Sequence, residues 1–152
     1  MKLEPLLTYY GDLKPLRDLG VTPFGNRIIA DVLGGGFEGP KLKGKILESG
    51  GDWLLIDAEG VGHLDVRATF ETDDGALIYL QYYGKVVITQ PMMDALVGKG
   101  PGTEYGDTPF FTQPRFETSD PRYTWLNRTV AVAEGRFRPN RVEYRVYLCA
   151  KD

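Results

Sequence analysis

The sequence predicts an all-β protein: one domain of about eight mainly antiparallel strands with one or two short helices. Three observations carry this. Residues 63–71 alternate strictly, with Leu64, Val66, Ala68 and Phe70 on one face and His63, Asp65, Arg67, Thr69 and Glu71 on the other, the period of a half-buried strand. A single segment has a helical signature, so there is no strand–helix–strand alternation and the strands must run mainly antiparallel. Nineteen glycines and 12% aromatic residues suit strands joined by tight turns. With 152 residues the chain has the length of one domain, enough to bury roughly 70% of its unfolded surface without disulfides or structural metal.

Taken in order, Ile28 to Leu33 is a strand ending at Gly34-Gly35-Gly36. Lys43 to Glu48 and Asp52 to Asp57 read as a hairpin about Ser49-Gly50-Gly51. The alternating strand from His63 ends at Thr72-Asp73-Asp74-Gly75, a turn in which Asp caps and Gly accepts positive φ. Ala76 to Tyr83 returns, and Lys85 to Thr89 continues it beyond a kink at Gly84. Pro91 to Val97 is the helix, with Pro in its first turn and Gly98 or Gly100 to end it. Gly98 to Pro109 is a long loop and a candidate lid. Phe110 to Glu117, Thr124 to Glu134 and Arg141 to Cys149 are the last three strands. About eight antiparallel strands tend to close into a barrel, which removes exposed edges; periodicity alone leaves a two-sheet sandwich open as well.

The charge balance excludes more than it identifies. A formal net charge of −3 argues against a non-specific nucleic-acid binder. One cysteine, Cys149, excludes an internal disulfide and a cysteine zinc site, and one histidine, His63, excludes a multi-histidine metal centre. No apolar run approaches the ~20 residues of a membrane-spanning helix, and Glu4 and Pro5 interrupt the N-terminal apolar stretch, so no signal peptide or membrane partner is expected and the cytoplasm is the default compartment. Gly34-Gly35-Gly36 lacks the ending of a phosphate loop, and no nucleophile elbow surrounds Ser49 or Ser119.

The polar face Asp65, Arg67, Thr69, Glu71 is either a solvated outer face or the wall of a polar lumen. On the segment from Thr124, Trp125, Asn127 and Thr129 share a face, which suits an aromatic-lined cavity as well as a core Trp beside an Asn that bonds a turn. Each of the nine tyrosines, Tyr82 among them, fits a strand by propensity, and collectively they offer phenol donors inside a barrel. His63 reads as a surface residue.

Several segments together resemble one family. They are Gly35-Gly36-Phe37-Glu38-Gly39-Pro40-Lys41-Leu42-Lys43-Gly44, Gly51-Asp52-Trp53, Leu64-Asp65-Val66-Arg67, Thr72-Asp73-Asp74-Gly75-Ala76, Pro114-Arg115-Phe116-Glu117-Thr118 and Tyr123-Thr124-Trp125-Leu126-Asn127-Arg128. In this order, over nearly the whole chain, they resemble the bacterial UPF0311 or DUF3237 family. That resemblance implies a small antiparallel barrel of the allene oxide cyclase or lipocalin-like kind and carries no established activity. It marks Asp52, Trp53, Asp65, Arg67, Glu117, Trp125 and Asn127 as residues on its motifs. The chain departs from the family in Gly106 to Thr112, where a Tyr-Tyr-Phe-Arg-Thr run is more typical.

The resulting expectation is a barrel with a small organic ligand, anionic or carbonyl, in its lumen. Asp65, Arg67, Tyr82, Glu117, Trp125 and Asn127 are its ligand-binding candidates. Arg67, Glu117 and Asn127 should converge inside, near Tyr82 and Trp125, with Arg67 offering a planar fork to a carboxylate or enolate. The alternatives are an isomerase, cyclase or lyase acting there without cofactor or metal, and an interaction protein with a filled core. A homodimer is the expected assembly.

Overall fold

The computed structural model describes residues 1–152 and contains ten strands, one α-helix and one 3-10 helix. The strands are β1 (Lys2–Leu13), β2 (Arg17–Thr22), β3 (Gly25–Glu38), β4 (Lys43–Ile56), β5 (Val61–Thr72), β6 (Leu77–Val87), β7 (Phe110–Thr112), β8 (Arg115–Glu117), β9 (Ala131–Arg138) and β10 (Arg141–Ala150); the helix α1 is Gln90–Leu96. Antiparallel pairing runs β1-β10-β9-β7-β6-β5-β4-β3, and β1 pairs back onto β3, which closes an eight-stranded barrel. β2 adds to β3 outside the ring, and β8 extends the pairing along β6. Closure leaves no room for the sandwich that periodicity allowed.

β5 settles which face looks inward. Leu64, Val66, Ala68, Phe70 and Thr72 are buried, whereas Arg67 is exposed and Asp65, Thr69 and Glu71 are only partly covered. The β5–β6 hairpin forms at the expected turn. Thr72 Oγ1 donates to Asp74 Oδ1 (2.5 Å) and accepts the Ala76 N–H (2.8 Å). Asp74 in turn accepts the Tyr123 hydroxyl at 2.7 Å, which ties the turn to the chain beyond β8.

The structure corrects several boundaries. The expected hairpin at Ser49-Gly50-Gly51 is a bulge within the single strand β4: four steps from Ile46 to Gly50 face two from Phe70 to Ala68 on β5. Gly50 makes the bulge possible, because its φ is +87° and a Cβ there would lie 2.0 Å from the Arg67 carbonyl oxygen. Thr124–Arg128 is a 3-10 helix, so the strand expected from Thr124 starts only at Ala131. The strand expected over Phe110 to Glu117 breaks at Gln113-Pro114 into β7 and β8. β1 and β2 went unpredicted; β1 carries Pro5 and a register shift between Pro5 and Leu7 that lets Leu6 and Leu7 both bury, which erases simple alternation.

One half of the barrel is packed solid, with Phe37 stacked on Phe70 (centroids 4.5 Å apart) and Leu126 and Ile78 wholly buried. The other half is covered by α1, whose Met92, Ala95 and Leu96 are buried, and Asn140 N–H bonds the Ala95 carbonyl to hold the helix against the β9–β10 turn. The loop from Gly98, expected as a lid, is instead fastened along β9. Thr103 exchanges bonds with Phe137, Glu104 pairs with Arg136 and Arg138 at 2.8 Å, and the Tyr105 ring sits 4.5 and 4.0 Å from the guanidinium carbons of Arg136 and Arg145.

Candidate functional site

The lumen at the α1 end contains a cavity of about 60 Å³. A cavity of ~150 Å³ holds benzene, so this one has room only for a molecule smaller than a six-atom ring. Its walls are aliphatic, from Ile28, Val32, Leu54, Leu64, Val66, Leu80 and Val86 among others, with no cation among them. Four lining side chains are polar: Asp52, Tyr9, Tyr82 and Tyr144.

Strand register puts them there. Asp52 pairs with Ala30 on one side and Val66 on the other, both inward-facing, so its alternation with Leu54 aims it into the lumen. Tyr9 and Tyr144 are direct cross-strand partners and stack at 4.8 Å. Tyr82, opposite Val66 on β6, meets Tyr144 edge-on at 5.5 Å and lies 6.5 Å from Tyr9. Tyr9 also packs edge-on to Phe70 at 5.4 Å, so the tyrosines form the floor between cavity and solid core.

Asp52 is the unusual group. It keeps some accessible surface although protein surrounds it, as a side chain lining a cavity does. Burial pushes its pKa up from 3.8 to about 7; the Asp65 N–H that it accepts at 3.1 Å and the charge of Arg27 pull it down, and the charge of Asp65 adds to the rise. Its second oxygen accepts no hydrogen bond from the protein. The Tyr9 hydroxyl is fully buried beside the Tyr82 hydroxyl, without a formed hydrogen bond. Burial first, and then the neighbouring tyrosines and Asp52, hold the Tyr9 and Tyr144 phenols protonated. Burial does the same for Tyr82, against the easing effect of Tyr144 and Tyr9. The lumen therefore offers phenol donors and one carboxyl group able to take or give a proton near neutrality. No three His, Cys, Asp or Glu side chains converge anywhere in the chain to hold a metal.

Of the six ligand-binding candidates from sequence, only Tyr82 faces this cavity; Asp52, marked there as a motif residue, faces it as well. Arg67 and Asp65 lie on the outer face, for the reason β5 gives: the apolar set of the alternation is the buried one. The Arg67 guanidinium sits 5.5 Å from the Trp53 ring centre and 3.9 Å from Asp65. Glu117 is exposed on β8, opposite Tyr79. Trp125 is half-buried in the 3-10 helix, with Lys41 Nζ 5.0 Å over its ring. Asn127 clamps a turn: its Oδ1 accepts the Thr118 N–H and its Nδ2 donates to the Thr118 carbonyl, both at 2.8 Å. The expected convergence of Arg67, Glu117 and Asn127 in the lumen is thus replaced by Asp52, Tyr9, Tyr82 and Tyr144. His63 bonds Asp57 at 2.9 Å in the β4–β5 turn, a structural tie that also lowers the Asp57 pKa. Asp52 was visible in sequence as a carboxylate in phase with Leu54; Tyr9 and Tyr144 gave no sign of being neighbours.

A family model described as a protein of unknown function (DUF3237) matches residues 1–149. The chain belongs to the DUF3237 family. A curated relative, a UPF0311 protein of Rhodopseudomonas palustris (strain TIE-1), is 30% identical over 90% of this chain and 87% of its own length. Two solved structures share the fold of this DUF3237 chain. A beta-barrel like protein from Acinetobacter baumannii AYE has a TM-score of 0.81 at 39% identity, covering 97% of this chain and 94% of that one. A conserved protein of unknown function from Rhodopseudomonas palustris has a TM-score of 0.86 at 28% identity, covering 97% and 98%. The DUF3237 barrel contains no helix long and apolar enough to cross a membrane.

Proposed function

We propose that the lumen binds a small, neutral, mainly apolar organic molecule with one oxygen group set against Asp52 and the tyrosines. The observation that carries this reading is the lone desolvated carboxyl of Asp52 in an otherwise aliphatic cavity. A buried polar group normally has its partners in the protein, yet Tyr9 has none and Asp52 only one. With Arg67 outside, no cation faces the lumen, which narrows the expected ligand from anionic or carbonyl to a neutral carbonyl or hydroxyl compound. Native mass spectrometry of protein purified from its own host tests this: a co-purified molecule lost in Ala68→Leu, which fills the cavity, is the expected result. Specific binding that survives Ala68→Leu would place the ligand elsewhere.

The expected homodimer belongs to the same proposal. β2 pairs only with β3, and Leu19, Val21 and Phe24 on or beside it are exposed. Light scattering at micromolar concentration should give twice the chain mass; a monomer would refute it.

A further inference from the structure

We propose that this lumen transfers a proton on a small enolisable ketone, with Asp52 as the base and the Tyr9 hydroxyl as the donor that holds the carbonyl oxygen. The inference rests on the lumen being a ligand site and adds the chemistry. Two independent features meet in one cavity: a carboxyl oxygen without a protein donor, and a wholly buried hydroxyl without an acceptor. A ketone supplies what each lacks, an acidic C–H for the first and an oxygen for the second. Tyr82 and Tyr144 stand beside Tyr9 to share charge that develops on that oxygen.

In the forward step an Asp52 oxygen takes the proton from the α carbon. The C–H electron pair becomes the C=C bond, and the carbonyl pair moves onto oxygen as an enolate held by Tyr9. The Asp52 carboxyl trades that proton for one from solvent water and delivers it to the same carbon, so the enolate returns to the ketone carrying a solvent hydrogen in place of its own. Nothing is oxidised or reduced, and water is the only other participant. At about 60 Å³ the cavity is well under the ~150 Å³ that holds a six-atom ring such as benzene, so it suits an acyclic ketone of about four non-hydrogen atoms.

The test uses one probe, acetone in D2O. Saturation-transfer NMR reads binding, and mass spectrometry reads deuterium at the α carbon. The expected result is binding with exchange above the buffer rate. Asp52→Asn, which keeps the shape and the acceptor for the Asp65 N–H, should bind and lose the rate. Tyr9→Phe should lower the rate about 10²-fold while binding persists. The rate should rise as Asp52 ionises, through about pH 7, under the influence of the groups around it: Tyr9, Tyr82, Tyr144, Asp65 and Arg27. Binding without exchange in the parent overturns the proton-transfer proposal and leaves the ligand site standing. Absence of binding overturns both. Exchange that persists in Asp52→Asn overturns the assignment of the base.

Discussion

Asp52→Asn should remove the pH dependence that one buried carboxyl imposes on stability. In the folded barrel Asp52 titrates near pH 7, against 3.8 for an ordinary aspartate. Between those values the native state holds a proton that the unfolded chain has released, so stability contributed by Asp52 is fully present below pH 3.8 and is lost as pH rises through 7. One pKa unit is worth 1.36 kcal/mol, so a shift of about three units amounts to about 4 kcal/mol between pH 4 and pH 8. Asparagine is neutral at every pH and can still accept the Asp65 N–H. Urea unfolding of parent and variant should therefore give similar stabilities at pH 4, with the variant gaining steadily to about 4 kcal/mol at pH 8. Comparing the two chains removes the contribution of the other carboxylates, several of which, such as Asp120 beside Arg122, have lowered pKa values and act in the opposite sense. A difference between the two chains that stays constant from pH 4 to pH 8 would show that Asp52 titrates like a solvated carboxylate, and the account of the cavity would fail with it.

Three other substitutions separate surface from framework. Arg67→Met should leave the urea midpoint nearly unchanged, within ~0.5 kcal/mol, because the side chain is 48% exposed and its nearest carboxylate contact is 3.9 Å; a loss of several kcal/mol would put Arg67 in the interior. Asn127→Ala removes both bonds to Thr118 and should cost roughly 1–3 kcal/mol by the same measurement, whereas a neutral result would show that water replaces the clamp. Gly50→Ala should cost well over ~1 kcal/mol, since the positive φ and the Arg67 carbonyl both oppose a Cβ; unchanged thermal unfolding would mean the β4 bulge can rearrange freely.

The sequence by itself determined the class of this protein and its best hairpin. The period of two in β5, the Thr72–Gly75 turn and the Pro-started helix are local patterns, set by side-chain alternation and by φ preferences over a few residues, and all three appear where the residues put them. The sequence also marked the motif residues, and the structure gives several of them framework roles: Asp74 ties to Tyr123, and Asn127 clamps Thr118. Tertiary structure alone decided which face of β5 points inward, and so placed Arg67 outside, because a barrel this narrow buries its apolar set and leaves charges in water. It also decided that Tyr9 and Tyr144, 135 positions apart in the chain, become cross-strand partners. That pairing depends on β1 meeting both β10 and β3 as the ring closes, and the shear of a closed sheet is set by all its strands together, so no local window of residues contains it.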